Sequence, residues 1–175
     1  SGRITAATRN ALQQLTGIPM TLGLVETMTS EDGGADSITT GIGNDIILGG
    51  QGGDTIKADY ARTGEGGEEL VGTGTNLVLG DNGLLDYTRG DRASVSGADT
   101  DPSDLDLVVS VDEEIGGNDT VTTGEGADLV IGGMGADTIT VNGGNNLVLG
   151  DSGRITAAVA TGPQLVRLPL TIGEI

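Results

Sequence analysis

Three-residue segments with one apolar residue between polar neighbours recur along the chain: Ser37–Thr39 (SIT), Thr55–Lys57 (TIK), Thr120–Thr122 (TVT), Thr138–Thr140 (TIT) and Arg154–Thr156 (RIT). This alternation predicts short strands with the central side chain inward and its flanks in water. A second set is apolar throughout: Ile46–Leu48 (IIL), Leu77–Leu79 (LVL), Leu129–Ile131 (LVI) and Leu147–Leu149 (LVL). Strands apolar on both faces need cover on both. The outward residues of this set are Ile46, Leu48, Leu77, Leu79, Leu129, Ile131, Leu147 and Leu149. Either inserts of the same chain fold over them, with Leu12, Leu15, Leu165, Val166 and Leu168, or a second chain packs there in lateral self-association.

Between the strands lie glycine-rich turns, and the whole pattern repeats. Gly33–Ile56 (GGADSITTGIGNDIILGGQGGDTI) and Gly116–Ile139 (GGNDTVTTGEGADLVIGGMGADTI) are near copies. Ser1–Thr5 and Ser152–Thr156 both read SGRIT, and Asn82–Asp86 (NGLLD) occupies the equivalent place. The expected units are therefore 1–81, 82–151 and a truncated third at 152–175. Self-similarity at a fixed period implies stacking. Within the units the period is nine: Gly49–Lys57 and Gly132–Thr140 are full GGxGxDxUx nonapeptides, where U is a large aliphatic residue. Six turn residues and three strand residues, taken twice, close one coil of a parallel roll with two sheets. Glycine supplies the cramped and left-handed turn conformations.

Two edges follow from this threading. The A edge carries Asp36, Asp54, Asp119 and Asp137, with Asp81 and Asp151 one slot away from the pattern. The B edge carries Asp45, Asn76, Asp128 and Asn146. Asp and Gly favour turns in any protein, but here the acid recurs every nine residues and the array recurs again. Stacked carboxylates repel unless a cation lies between them. Hard oxygen donors on flexible turns suit Ca2+. Asp32, Asp112, Glu113 and Glu114 read as solvated turn acids, and the acids between Asp99 and Asp106 have no fixed spacing. The segments Arg3–Thr5 and Leu84–Asp86 are threaded as A-side strands, and Leu24–Glu26 and Leu107–Val109 as B-side strands. Inserts at 6–21, 58–72, 88–104 and 157–170 then all emerge on the B edge, with a short helix over 8–16.

Composition narrows the function. The 175 residues include 33 Gly, 26 Asp+Glu and 8 Lys+Arg, for a net charge of −18. Such a chain cannot neutralise phosphates, which excludes nucleic acid and disfavours anionic membranes. No run reaches transmembrane length. Without His or Cys there is no imidazole base, thiol nucleophile or zinc-type site, so no enzyme is expected. The metal-free chain is expected to be disordered.

The nonapeptides resemble the RTX, or haemolysin-type calcium-binding, repeats of large secreted bacterial proteins. That resemblance covers roughly 31–57 and 114–151. It implies an all-β fold, a parallel β-solenoid of the β-roll type, with several Ca2+ ions held in the turns. It also implies export by a type I system and folding in the calcium-rich exterior. The leading expectation is a structural module of a secreted or cell-surface adhesin, a stiff spacer or fibre element partnered by calcium and neighbouring repeats. The alternative is a secretion and folding appendage of an exported protease, lipase or epimerase. A direct ice or glycan binder has only isolated support in Thr73 and Asn44.

Overall fold

The computed structural model describes residues 2–6, 22–63, 67–89, 105–157 and 172–174. The fold is all-β. Its centre is a roll of four coils. One face is a parallel sheet of β3 (Ser37–Thr39), β5 (Thr55–Lys57), β11 (Thr120–Thr122) and β13 (Thr138–Thr140). The other is a parallel sheet of β4 (Ile46–Leu48), β8 (Leu77–Leu79), β12 (Leu129–Ile131) and β14 (Leu147–Leu149). The central residue of each strand points inward, so Ile47, Ile56, Val78, Val121 and Val130 form a thin aliphatic core with Ala58. No aromatic ring is needed, because the two sheets close directly on β-branched side chains.

The chain departs from the expected threading between and beyond the coils. Arg3–Thr5, Leu24–Glu26, Leu84–Asp86, Leu107–Val109 and Arg154–Thr156 are not strands of the roll. They belong to a third, antiparallel sheet of six strands. In spatial order these are β1 (Gly2–Ala6), β2 (Leu22–Thr27), β9 (Gly83–Asp86), β10 (Leu107–Ser110), β15 (Arg154–Ala157) and β16 (Ile172–Glu174). Three consecutive hairpins thus lie side by side. Five of the six run four to six residues, longer than the three-residue roll strands, and the first of each hairpin pairs antiparallel with the strand that follows it across an insert.

This third sheet answers what covers the apolar face. Leu77, Leu79, Leu129 and Ile131 pack with Leu22, Val25, Leu85, Tyr87, Leu105, Val108 and Ile155 in one cluster, flanked by Ile46, Leu48, Leu147 and Leu149. The same chain provides the cover, from segments expected inside the roll. The expected covering residues Leu12, Leu15, Leu165, Val166 and Leu168, and the helix over 8–16, lie outside the described residues. Insert 58–72 does leave from the B edge, as the hairpin of β6 (Tyr60–Arg62) and β7 (Glu69–Val71). Insert 88–104 does not: it joins β9 to β10, both in the cover, and the excursion starts and ends on the A edge. Inserts 6–21 and 157–170 likewise connect strands of the cover.

Candidate metal-binding edge

The A-edge aspartates form a column held by one repeated hydrogen bond. The Asp36 N–H donates to Asp54 Oδ1 (2.7 Å), the Asp54 N–H to Asp119 Oδ1 (2.7 Å), and the Asp119 N–H to Asp137 Oδ1 (2.9 Å). Asp54 and Asp119 are neighbours although 65 residues separate them, because the β6–β7 and β9–β10 hairpins both leave the roll between them, and only β8 stays in it. The expected threading placed further strands between them, and the antiparallel cover removes those strands. The carboxylates of Asp54, Asp119 and Asp137 each spend one oxygen on this bond. The other oxygens, Asp54 Oδ2, Asp119 Oδ2 and Asp137 Oδ2, are buried without a hydrogen-bond partner.

A buried, unpartnered carboxylate oxygen is costly, and a bound cation is the usual resolution. The surroundings fit one. Beside each of these oxygens the first turn position is glycine: Gly49, Gly80 and Gly132. A side chain at Gly49 would collide with Asp54 Oδ2 and the Gly80 carbonyl. At Gly80 it would meet Asp119 Oδ2 and the Gly132 carbonyl, and at Gly132, Asp137 Oδ2 and the Gly150 carbonyl. Carboxylate and carbonyl oxygens thus converge three times on a gap kept open by glycine, a donor set suited to Ca2+. Burial, and secondarily the neighbouring carboxylates, disfavour the charged form: Asp119 is pushed up to about 7, and Asp54 is also raised.

The B edge has the same ladder with different chemistry. The Asp45 N–H donates to Asn76 Oδ1 (3.2 Å), the Asn76 N–H to Asp128 Oδ1 (3.0 Å), and the Asp128 N–H to Asn146 Oδ1 (2.9 Å). Neutral amides alternate with acids. Counted along the sequence, threonine takes the first turn position in the two aspartate turns and valine, Val71 and Val141, in the two asparagine turns; the Thr40 hydroxyl donates to Asp45 Oδ2 at 2.6 Å. Thr123 occupies the same slot in the coil of Asp128, whose Oδ2 is buried and unpartnered, as is Thr123 Oγ1.

Asp81 and Asp151 are set apart from the column. Asp81 is buried and accepts the N–H groups of Gly117 (2.9 Å) and Met134 (2.6 Å), tying together two successive A-edge turns. Burial raises it to about 6. Asp151 has the equivalent sequence position at the last coil and is exposed. A buried carboxylate that the sequence did not single out plays a similar part. Asp59, at positive φ, accepts the N–H groups of Gly43 (2.9 Å) and Gly74 (2.7 Å) and ties two B-edge turns together as Asp81 ties those of the A edge. It lies in the insert rather than in a nonapeptide, so periodicity gave no signal. The only sequence hint is that Lys57-Ala-Asp follows a full repeat directly.

A family model for the RTX calcium-binding nonapeptide repeat matches four copies, over residues 32–56 and 115–154. Comparison with curated proteins and with solved structures gives no match. Those two segments contain the roll strands except β8 and the last residue of β5, together with the complete A-edge column. The chain therefore carries an RTX calcium-binding repeat region folded as a β-roll.

Proposed function

We propose that this chain is a calcium-dependent structural module in which the A edge is the main metal-binding edge. The carrying observation is the row of three buried, unpartnered carboxylate oxygens at Asp54, Asp119 and Asp137, each facing a carbonyl across a glycine gap. In this reading Asp36, Asp54, Asp119 and Asp137 ligate through side chains, with backbone carbonyls from Gly80, Gly132 and Gly150. On the B edge Asp45, Asn76, Asp128 and Asn146 bind more weakly, since amides and threonine hydroxyls replace charge and space. Asp81 stands beside the column as an organiser of the turns, and Asp151 is its counterpart at the open end. Calcium neutralises carboxylates that otherwise oppose the stacking of coils.

The units 1–81, 82–151 and 152–175 each begin with a cover hairpin, and each of the first two continues into two coils of roll. Such a unit extends without limit by addition, which supports the reading of a spacer or fibre element. RTX repeats occur in secreted bacterial proteins, and among the described residues no helix is long and apolar enough to cross a membrane. An adhesin-like, extracellular setting, where calcium is abundant, suits sites of roughly 0.1–1 mM affinity. The test is circular dichroism and thermal melting of chelator-treated protein titrated with calcium. A gain of strand signal and melting temperature over that concentration range is expected. Identical spectra and melting temperatures in chelator and in several-fold excess calcium would remove the proposal.

A further inference from the structure

Between its first and last coils the roll is cut by two hairpins, and both cuts fall at the same place in a turn. One repeated backbone bond marks the first of the six turn positions. On the B edge the Thr40 N–H donates to the Lys57 carbonyl (3.0 Å), Ala58 to Thr122 (2.9 Å) and Thr123 to Thr140 (3.0 Å). On the A edge Gly49 donates to Leu79, Gly80 to Ile131 and Gly132 to Leu149, each at 2.9 Å. Ala58 and Gly80 therefore open turns that their own stretch of chain does not finish. The β6–β7 hairpin leaves just after Ala58, and residues 72–76 complete that turn. Val71, six positions from Asn76 by sequence, has gone into the hairpin opposite Tyr60, so Ala58 holds its slot. The β9–β10 hairpin leaves just after Gly80, and Gly117, Asn118 and Asp119 complete the second turn.

The second turn position changes in the same way at both cuts. It is glycine in four uncut turns, at Gly41, Gly50, Gly124 and Gly133. At the cuts it is aspartate, Asp59 and Asp81, and both are buried. Asp59 even keeps the left-handed backbone of the slot, with φ 67° where Gly50 has 100° and Gly133 has 111°. In an uncut turn a single residue joins positions two and four through the chain. At the cuts a hydrogen bond joins them instead. Asp59 Oδ2 accepts the N–H of Gly74, position four of its own turn, at 2.7 Å, and Asp81 Oδ1 accepts that of Gly117 at 2.9 Å. The second oxygen of each accepts an N–H from an adjoining turn, Gly43 or Met134. Room for the carboxylates is kept by glycine. A side chain at Gly72 or Gly124 would collide with Asp59, and one at Gly116 or Gly133 with Asp81.

We infer that Asp59 and Asp81 are positioning residues that splice interrupted turns, each carboxylate standing in for the link that a hairpin carries away. The roll is then a frame into which hairpins are set, and β6–β7 is held by it without being part of a coil. On the A edge the splice reaches further. Gly80 and Asp119 lie on opposite sides of the cut, and together they line the middle gap of the aspartate column. Asp81 holds these two arms in place and so orders that gap without ligating an ion. This last consequence rests on the metal-binding reading above; the splice itself does not.

Deletion supplies the test. Removing residues 59–71 joins Ala58 to Gly72 and leaves AGTGTN, a six-residue turn of the same form as Thr40–Asp45 (TGIGND). Removing 60–71 keeps Asp59 and leaves seven residues, and removing 59–72 leaves five. All three variants lose Tyr60 and the rest of the hairpin, so they differ only at the join. In saturating calcium the six-residue join should have the highest urea midpoint of the three. In the full chain, Asp59→Ala and Asp81→Ala should each lower the urea midpoint by about 0.5–1 M, since two N–H groups lose a charged acceptor. Asp81→Ala should also raise the calcium midpoint several-fold above that of Asp59→Ala. A six-residue join that fails to fold, or is no more stable than its neighbours, overturns the splice, as does a wild-type urea midpoint in both alanine variants. Equal calcium midpoints for Asp59→Ala and Asp81→Ala overturn the ordering of the metal gap. A wild-type chain whose melting ignores calcium defeats the metal reading alone, and the deletion series still decides the splice.

Discussion

At Asp119 a single side chain holds two opposed demands. It is 1% exposed, its Oδ1 accepts the Asp54 N–H, and its Oδ2 faces the Gly132 carbonyl across the space at Gly80. Without metal its charge is a burden, which is why burial raises it to about 7. In the proposed metal-bound state the same charge is the ligand. Asp119→Asn keeps the accepting oxygen and removes the charge, so its effect should change sign. Melting in chelator should be unchanged or higher than wild type, while the calcium midpoint should rise several-fold. Asp36→Asn, at the exposed first coil, should shift both quantities much less. Parallel melting and calcium titrations of the two variants check this. A uniform loss in both conditions for Asp119→Asn would mean that its charge is structural and not a ligand. Asp59 and Asp81 illustrate the other use of an acid here, each satisfied by two turn N–H groups rather than left with a bare oxygen.

At the scale of elements, the cover sheet and the roll meet through leucines and glycines placed in step. Gly83 of β9 accepts the side chain of Leu79, the last residue of β8. Gly83→Val should push Leu79 out of the shared cluster and cost about 1–3 kcal/mol by overpacking. Gly2→Val, which meets only the Glu26 carbonyl, should cost much less. Urea unfolding of both variants in saturating calcium checks the difference, and equal midpoints would refute this account of how the layers interlock. Two parallel sheets of three-residue strands bury little on their own. The antiparallel hairpins roughly double the apolar core by closing over the leucine face, and aromatic bulk enters there through Tyr87.

For the molecule as a whole, the net charge of −18 makes stability a function of proton and calcium concentration together. Asp119 and Asp81, at about 7 and 6, lie above the ordinary value of 3.8 because burial disfavours their charged forms. In metal-free protein the folded state therefore holds more protons than the unfolded state between pH 3.8 and about 7. Its stability should fall as pH rises through that window and be highest near the acid end. Calcium reverses the slope, because ligands must be deprotonated to bind. Melting temperatures in chelator should thus be higher near pH 5 than near pH 7.5, while the calcium midpoint should be lower at the higher pH. A chelated sample that gains stability steadily with pH would contradict the burial of these acids.

The nonapeptide alone determined the coil: Gly49–Lys57 and Gly132–Thr140 specify a turn, a three-residue strand, an inward aliphatic residue and a turn acid. Local pattern suffices there because each feature depends on residues within nine positions. The apolar outer face of the Leu77–Leu79 and Leu129–Ile131 strands also showed in sequence that something must cover it. What covers it did not show. RIT at 154–156 and TIT at 138–140 share the same local alternation, yet one lies in an antiparallel cover and the other in a parallel roll. Only the return path of the chain distinguishes them, through hairpins whose strands meet across inserts without periodicity. The contact between Asp54 and Asp119 depends on the same decision. Looping out the β6–β7 and β9–β10 hairpins, with β8 kept in the roll, brings together two acids 65 residues apart, and so makes one continuous column of aspartates from two separate runs of repeats.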